Sequence, residues 1–150
     1  MINYSINDVE VKKGLNKLIK KNPELSRRVL SYISEAVVNR SVEHHLSGQT
    51  LKRQTGTLAK SINYKMQGNY KSKVGTNVIY AAIHEFGGTI KPKNGKALAF
   101  KIKDSWAVVK EVKIPKRSFL APALEYVMTH EAARIMDKQA TIWLGKVWYK

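Results

Sequence analysis

Four places in this 150-residue chain carry side chains that could do chemistry. His130-Glu131-Ala132-Ala133-Arg134 begins like the helical zinc-protease motif, in which two histidines one turn apart face a single metal. Arg134 stands where the second histidine is needed and brings a repelling charge, so the segment reads as a surface helix. Gly88 to Ala97 resembles a phosphate-binding loop only superficially. Ile90 occupies the place of its first glycine, and Ala97 replaces the hydroxyl that would hold magnesium. His44-His45 falls near a helix end, and neighbouring helical residues do not face the same way, which disfavours a chelating pair. Interaction with terminal carbonyls or water is expected there instead. His84-Glu85 could be imagined as an acid–base dyad. A metal-dependent nuclease, however, needs clustered acids, and residues 51–120 contain only Glu85, Asp104 and Glu111. The expectation is a non-enzymatic protein with no catalytic residues, no cofactor and no metal.

Charge carries more information than any of these fragments. The chain has a formal net charge of +16, and residues 51–120 hold fifteen basic side chains against three acidic ones. So concentrated an imbalance builds a positive field that favours polyanions and costs self-repulsion when unpartnered. Lysines outnumber arginines, which points to non-specific phosphate attraction rather than bidentate base reading. Lys91, Lys93 and Lys96 crowd a turn around Asn94-Gly95 and are the candidate nucleic-acid-binding residues. The plainer reading of the same turn is a solvated surface loop.

A length of 150 residues suits one domain, residues 1–150, and the 43% apolar fraction is ordinary for a globular protein. No apolar run approaches the roughly 20 residues needed to span a bilayer, so no membrane association is expected. No secretory signal is visible, and the absence of cysteine fits synthesis in the cytoplasm. Asn7 to Glu10 looks like a capping box before a helix striped by Val11, Leu15, Leu18 and Ile19. Asn22 and Pro23 start a second helix with Leu25, Val29, Ile33, Ala36 and Val37 on one face, ended by Ser47-Gly48. Gln49 to Thr57 is polar and basic and reads as a loop. Ile62, Tyr64 and Met66 alternate as a strand that turns at Gln67-Gly68-Asn69 and returns through Lys71 to Val74. A short helix over 78–86 should bury Tyr80, Ile83 and Phe86, and Gly87 should take a glycine-only conformation. Thr89-Ile90, then Leu98-Phe100-Ile102, then Val108-Val112-Ile114 read as extended pieces. Pro115 should stop the last of these. Leu120, Leu124, Val127, Met128, Ile135 and Met136 stripe a long helix with Pro122 in its first turn. Trp143, Leu144, Val147, Trp148 and Tyr149 are expected to pack against the first helices. The fold class is α+β, with N-terminal helices and a long C-terminal helix packed on antiparallel β-hairpins.

Three segments recur in one order: Thr55-Gly56-Thr57-Leu58-Ala59-Lys60-Ser61-Ile62, then Val74 to Gly88, then Ile114 to Leu124. Gly56 and Gly75 sit where one element gives way to the next. Leu58, Tyr80, Ala81, Phe86, Gly87, Pro115, Arg117, Phe119 and Leu120 are the other marked positions. Over roughly residues 23–135 this order resembles the bacteriophage virion-morphogenesis family of tail-completion, or head–tail joining, proteins. The resemblance implies a structural protein of the virion, made in the host bacterial cytoplasm and placed in the neck of a tailed phage or prophage. It implies connector and tail-terminator proteins as partners, a homo-oligomeric ring in the particle, and DNA in the channel as a non-specific contact. The long basic stretch from Lys91 to Lys96 and the aromatic tail at 143–149 depart from the family pattern. A small basic nucleic-acid-binding protein is the alternative, although no helix-turn-helix, RNA-recognition signature or zinc site is present.

Overall fold

The computed structural model describes residues 2–5, 22–48, 50–51, 56–93, 95–102 and 104–148; side chains of 2–5, 147 and 148 fall outside that description. The helix expected after Asn7 lies outside the described residues. Helix α1, Pro23–His45, starts where Asn22-Pro23 places it. Asn22 contributes no side-chain cap; its carbonyl instead accepts from the Ser26 amide (3.2 Å) and the Ser26 hydroxyl (2.9 Å). Leu25, Val29, Ile33 and Val37 recur every fourth residue and are buried, and Leu30 joins them. Ser26, Ser34 and Ser41 are buried on the same helix, which keeps its inner face thin. Ser34 Oγ is hydrogen-bonded to Ser72 Oγ at 2.7 Å, tying helix to sheet.

That sheet has three antiparallel strands in the order β1-β3-β2: Ile2–Ser5, Ser72–Thr76 and Asn63–Met66. Strand β1 was not legible from the sequence. It pairs along the free side of β3, with Tyr4 opposite Val74, while Tyr64 of β2 meets Val74 from the other side. The central strand is correspondingly buried, with Val74 fully enclosed. Gly75 is therefore corrected: it lies inside β3, in register with Asn3 and Asn63, and is not a hinge between elements. Gly56 does mark a transition, at φ +74°, immediately before the one-turn helix α2, Thr57–Ser61. Leu51, assigned to a polar loop, is buried in the core, and its amide donates to the His45 carbonyl at 3.2 Å.

Helix α3, Ala81–Phe86, follows, and then β4, Gly88–Ile90. The strand expected over Val108, Val112 and Ile114 divides into two that belong to different sheets. Strand β4 pairs with β7, Val112–Ile114, and between them β5, Leu98–Ile102, pairs among the described residues with β6, Ser105–Val109. The chain thus makes an excursion that leaves and returns through the β4–β7 pair. Strand β7 stops before Pro115, as a residue without an N–H requires.

The C-terminal helical region begins at Ala121 with Pro122 in its first turn and comprises α4, Ala121–His130, and α5, Ala132–Trp148. Glu131 interrupts it with φ −119°, although its amide still bonds the Val127 carbonyl. Thr129 Oγ1 donates back to the Glu125 carbonyl at 2.6 Å, a side-chain competitor of the kind that bends helices. Phe119, Leu120, Ala123 and Val127 face α1 in the core, with Val74, Ala81, Ala59 and Ile62 beside them. Trp143 packs at the edge of that cluster, while Leu144 is exposed. Helices against antiparallel strand pairs make this an α+β fold.

Candidate functional site

The two longest motif segments meet at Glu85. Helix α3 is too short to bury more than one face, and the face it buries carries Ala81 and Glu85, one turn apart. The Glu85 carboxylate is wholly enclosed. Its Oε2 accepts the amides of Phe119 (2.8 Å) and Leu120 (3.1 Å), and its Oε1 accepts that of Ala121 (3.0 Å). Two further bonds join the same segments. Ser118 Oγ donates to the Glu85 carbonyl at 2.9 Å, and the Arg117 amide donates to the His84 carbonyl at 2.8 Å.

This is a helix cap delivered from a distant element. The opening amides of a helix have no partner within it, and an anion beside them is favoured by the helix dipole. Leu120 occupies the cap position of α4 and has no acceptor of its own. Pro122 lacks an N–H, and Glu85 satisfies the amides that precede it. A buried carboxylate is costly unless charge-assisted hydrogen bonds compensate it, and here three backbone donors do so. Such a carboxylate is spent on structure rather than on proton transfer.

Gly87 completes the joint. It adopts φ +73°, ψ 178°, a conformation reserved for glycine. A Cβ there would stand 2.9 Å from the Lys116 amide nitrogen and 3.2 Å from the Ile114 carbonyl oxygen. Only a residue without a side chain lets β7 and its exit pass so close.

Other marked residues fall on both sides of this joint. Ala81, Phe119 and Leu120 are fully buried, and Leu58 packs against the core. Tyr80 and Phe86 are corrected: both are exposed, Phe86 by 59%. Turning Glu85 toward residues 119–121 rotates the apolar face of α3 outward. Pro115 and Arg117 lie on the surface at the end of β7. Burial, and then the charge of Arg117, lowers the His84 pKa below its ordinary 6.5. His84 Nδ1 is buried with no hydrogen-bond partner among the described residues, and Tyr80 meets the ring edge-on. Burial also lowers the His45 pKa, helped by Arg40 and His44 and opposed by Glu85. Arg40 itself lies 3.5 Å over the Tyr126 ring, which stacks on His130.

Lys91, Lys93 and Lys96 are exposed on the connection from β4 to β5, not on a hairpin between those strands. Lys91 Nζ reaches Glu111 at 3.8 Å, so this cation has an acid beside it that its own stretch of sequence does not show. The structure does not bring these lysines to the Glu85 joint. A cavity of about 240 Å³ lies between α1 and α5, lined by Tyr32, Arg134, Ile135, Lys138 and Gln139. Among the described residues no group of three potential ligands could hold a metal. No described helix is long and apolar enough to cross a membrane.

Sequence reasoning set His84-Glu85 aside as a catalytic dyad and gave Glu85 no other role. A usable signal was present: Leu120 is a poor helix cap, so the start of α4 needed an acceptor from elsewhere, and Glu85 was the only acid between Glu43 and Asp104.

Fold and site together define an α+β protein whose central ionisable group is a structural fastener. The chain matches the phage virion morphogenesis family over residues 33–137, well over half its length, and belongs to that family. Its role is thus in the structure or assembly of a phage particle, among other components of that particle. Comparisons with curated proteins and with solved structures find no match.

Proposed function

We propose that this chain is a tail-completion and head–tail joining protein, a non-enzymatic component of the neck that works as one domain between connector and tail-terminator proteins. The family match over residues 33–137 carries this reading. The Glu85 joint supports it, because the motif residues it gathers serve to hold elements together and leave the outer surface for assembly. In the particle the chain forms a ring by symmetry, with the basic connection at Lys91, Lys93 and Lys96 turned toward channel DNA.

Deleting the gene from a phage and imaging the lysate by electron microscopy tests the reading. DNA-filled heads and separate, unjoined tails are expected, with infectivity restored by the wild-type gene in trans. Attached tails and normal infectivity in the deletion strain would overturn it.

A further inference from the structure

The excursion between β4 and β7 leaves apolar surface on both of its faces. The register places Leu98, Phe100 and Ile102 opposite Val109, Ala107 and Ser105 on one face of the β5–β6 ribbon. On the other face Ala99 and Lys101 stand opposite Val108 and Trp106. Trp106 is 72% exposed, Val108 67% and Ile102 54%, and Phe100 is also exposed. A two-stranded ribbon normally hides one face against a body, since alone it is marginally stable in water. Here each strand pairs only with the other among the described residues, which leaves both outer edges unpaired, and the face of Ala99, Lys101, Trp106 and Val108 is exposed throughout, whereas Leu98, Ala107 and Val109 on the other are half-buried. Large apolar side chains gathered in one place, rather than scattered, mark an interaction surface.

We propose that the β5–β6 ribbon is a docking arm that inserts into an apolar cleft of an acidic protein partner. Charge selects that occupant. Beyond the three lysines turned toward DNA, residues 98–117 carry six basic side chains (Lys101, Lys103, Lys110, Lys113, Lys116 and Arg117) against Asp104 and Glu111. A second copy of the same arm would set like charge against like, whereas an acidic rim around the cleft neutralises it. Side-chain chemistry favours protein over nucleic acid. Ile102 and Val108 cannot stack on bases, and an aromatic anchor flanked by aliphatic groups and rimmed by charge is the usual make-up of a protein interface. The inference deepens the assembly reading by naming the surface and the chemistry of its partner, and it does not depend on whether the partner lies in head or tail.

The test uses the purified full chain and two probes: heads and tails purified separately from a strain lacking the gene. Co-sedimentation is measured for the wild type, for Trp106→Ser/Val108→Ser, and for Lys101→Glu/Lys110→Glu. The wild type should bind one of the two particles. Each double variant should weaken that binding by about tenfold or more, with unchanged thermal unfolding, because the substituted positions are outside the core. Wild-type binding to neither particle, or equal binding by wild type and both variants, overturns the proposal. So does a tryptophan–valine variant that leaves particle binding intact but weakens binding to a 30-base-pair duplex, which would make the arm a nucleic-acid element. If the same variant instead dissociates an oligomer of the isolated chain, the occupant is a second copy and the proposal fails. The deletion phenotype is read separately, so joining can fail as a function while docking stands.

Discussion

At the scale of single residues, burial and polar pairing separate side chains that look alike in the sequence. Phe86 and Phe119 are both apolar motif positions, yet one is exposed and the other enclosed. Phe119→Ala should cost about 3–5 kcal/mol in urea unfolding, and Phe86→Ala under about 1 kcal/mol. Equal costs would mean that α3 is turned the other way. Glu85→Ala strands three amides away from water and should destabilise the chain by at least about 3 kcal/mol. Glu85→Gln keeps one acceptor oxygen but aims a donor at an amide, and should fall between alanine and wild type. A harmless Glu85→Ala would show that water replaces the carboxylate and that the cap is dispensable. His45 and His84, both half-buried, set a pH trend of definite sign. Their pKa values are lowered on folding, so the unfolded chain binds more protons, and stability is present above about 6.5 and lost as pH falls through the depressed values. Melting temperature should therefore drop between pH 7 and pH 5, less steeply in His84→Gln than in wild type. Parallel slopes for the two proteins would remove His84 from the effect.

At the scale of elements, the short-range signals were readable and the long-range pairings were not. Pro23, Pro115 and Pro122 act locally, through a fixed φ and a missing donor, and each stands where a helix begins or a strand ends. Alternation revealed β2 and β5 because side-chain period is intrinsic to a strand. Which strand lies beside which depends on loop closure across the chain, and so β1 against β3 and β4 against β7 escaped notice. Helix α3 shows the same limit in another form: its apolar spacing pointed one way, and a hydrogen-bond requirement 34 residues downstream turned it another. Gly87 and Gly68 both have positive φ, +73° and +72°, but at Gly87 ψ is 178°, outside the left-handed helical basin. A Cβ at Gly68 meets nothing within 4 Å, whereas one at Gly87 strikes the backbone of Lys116. Gly68→Ala should thus meet positive-φ strain alone, on the order of 1–2 kcal/mol, and Gly87→Ala should cost more, because its conformation is reserved for glycine and β7 must also shift. Equal melting temperatures for the two variants would show that β7 yields without cost.

At the scale of the whole molecule, charge governs association. With a net charge of +16 the isolated chain should be monomeric at low salt in light scattering, and a stable, salt-insensitive ring would contradict that expectation. If Lys91, Lys93 and Lys96 meet channel DNA, binding to random-sequence duplex should weaken with salt at about 0.9 in log–log slope per phosphate neutralised. Changing all three to glutamate should then flatten the slope by about three, or by about two if Lys91 stays with Glu111. An unaltered slope would make the connection a solvated surface loop. The β4–β7 pair and the Glu85 cap have one more consequence, for how this chain can vary. They hold the two ends of the excursion at a set separation, so everything between Ile90 and Val112 hangs from a closed gate. Closing a longer loop through a gate already shut is inexpensive, about 0.6 kcal/mol for each doubling of its length. The stretch between Ile90 and Val112 can therefore be lengthened, shortened or re-lettered while the remainder of the protein folds as before, a cassette that can be exchanged without rebuilding what carries it.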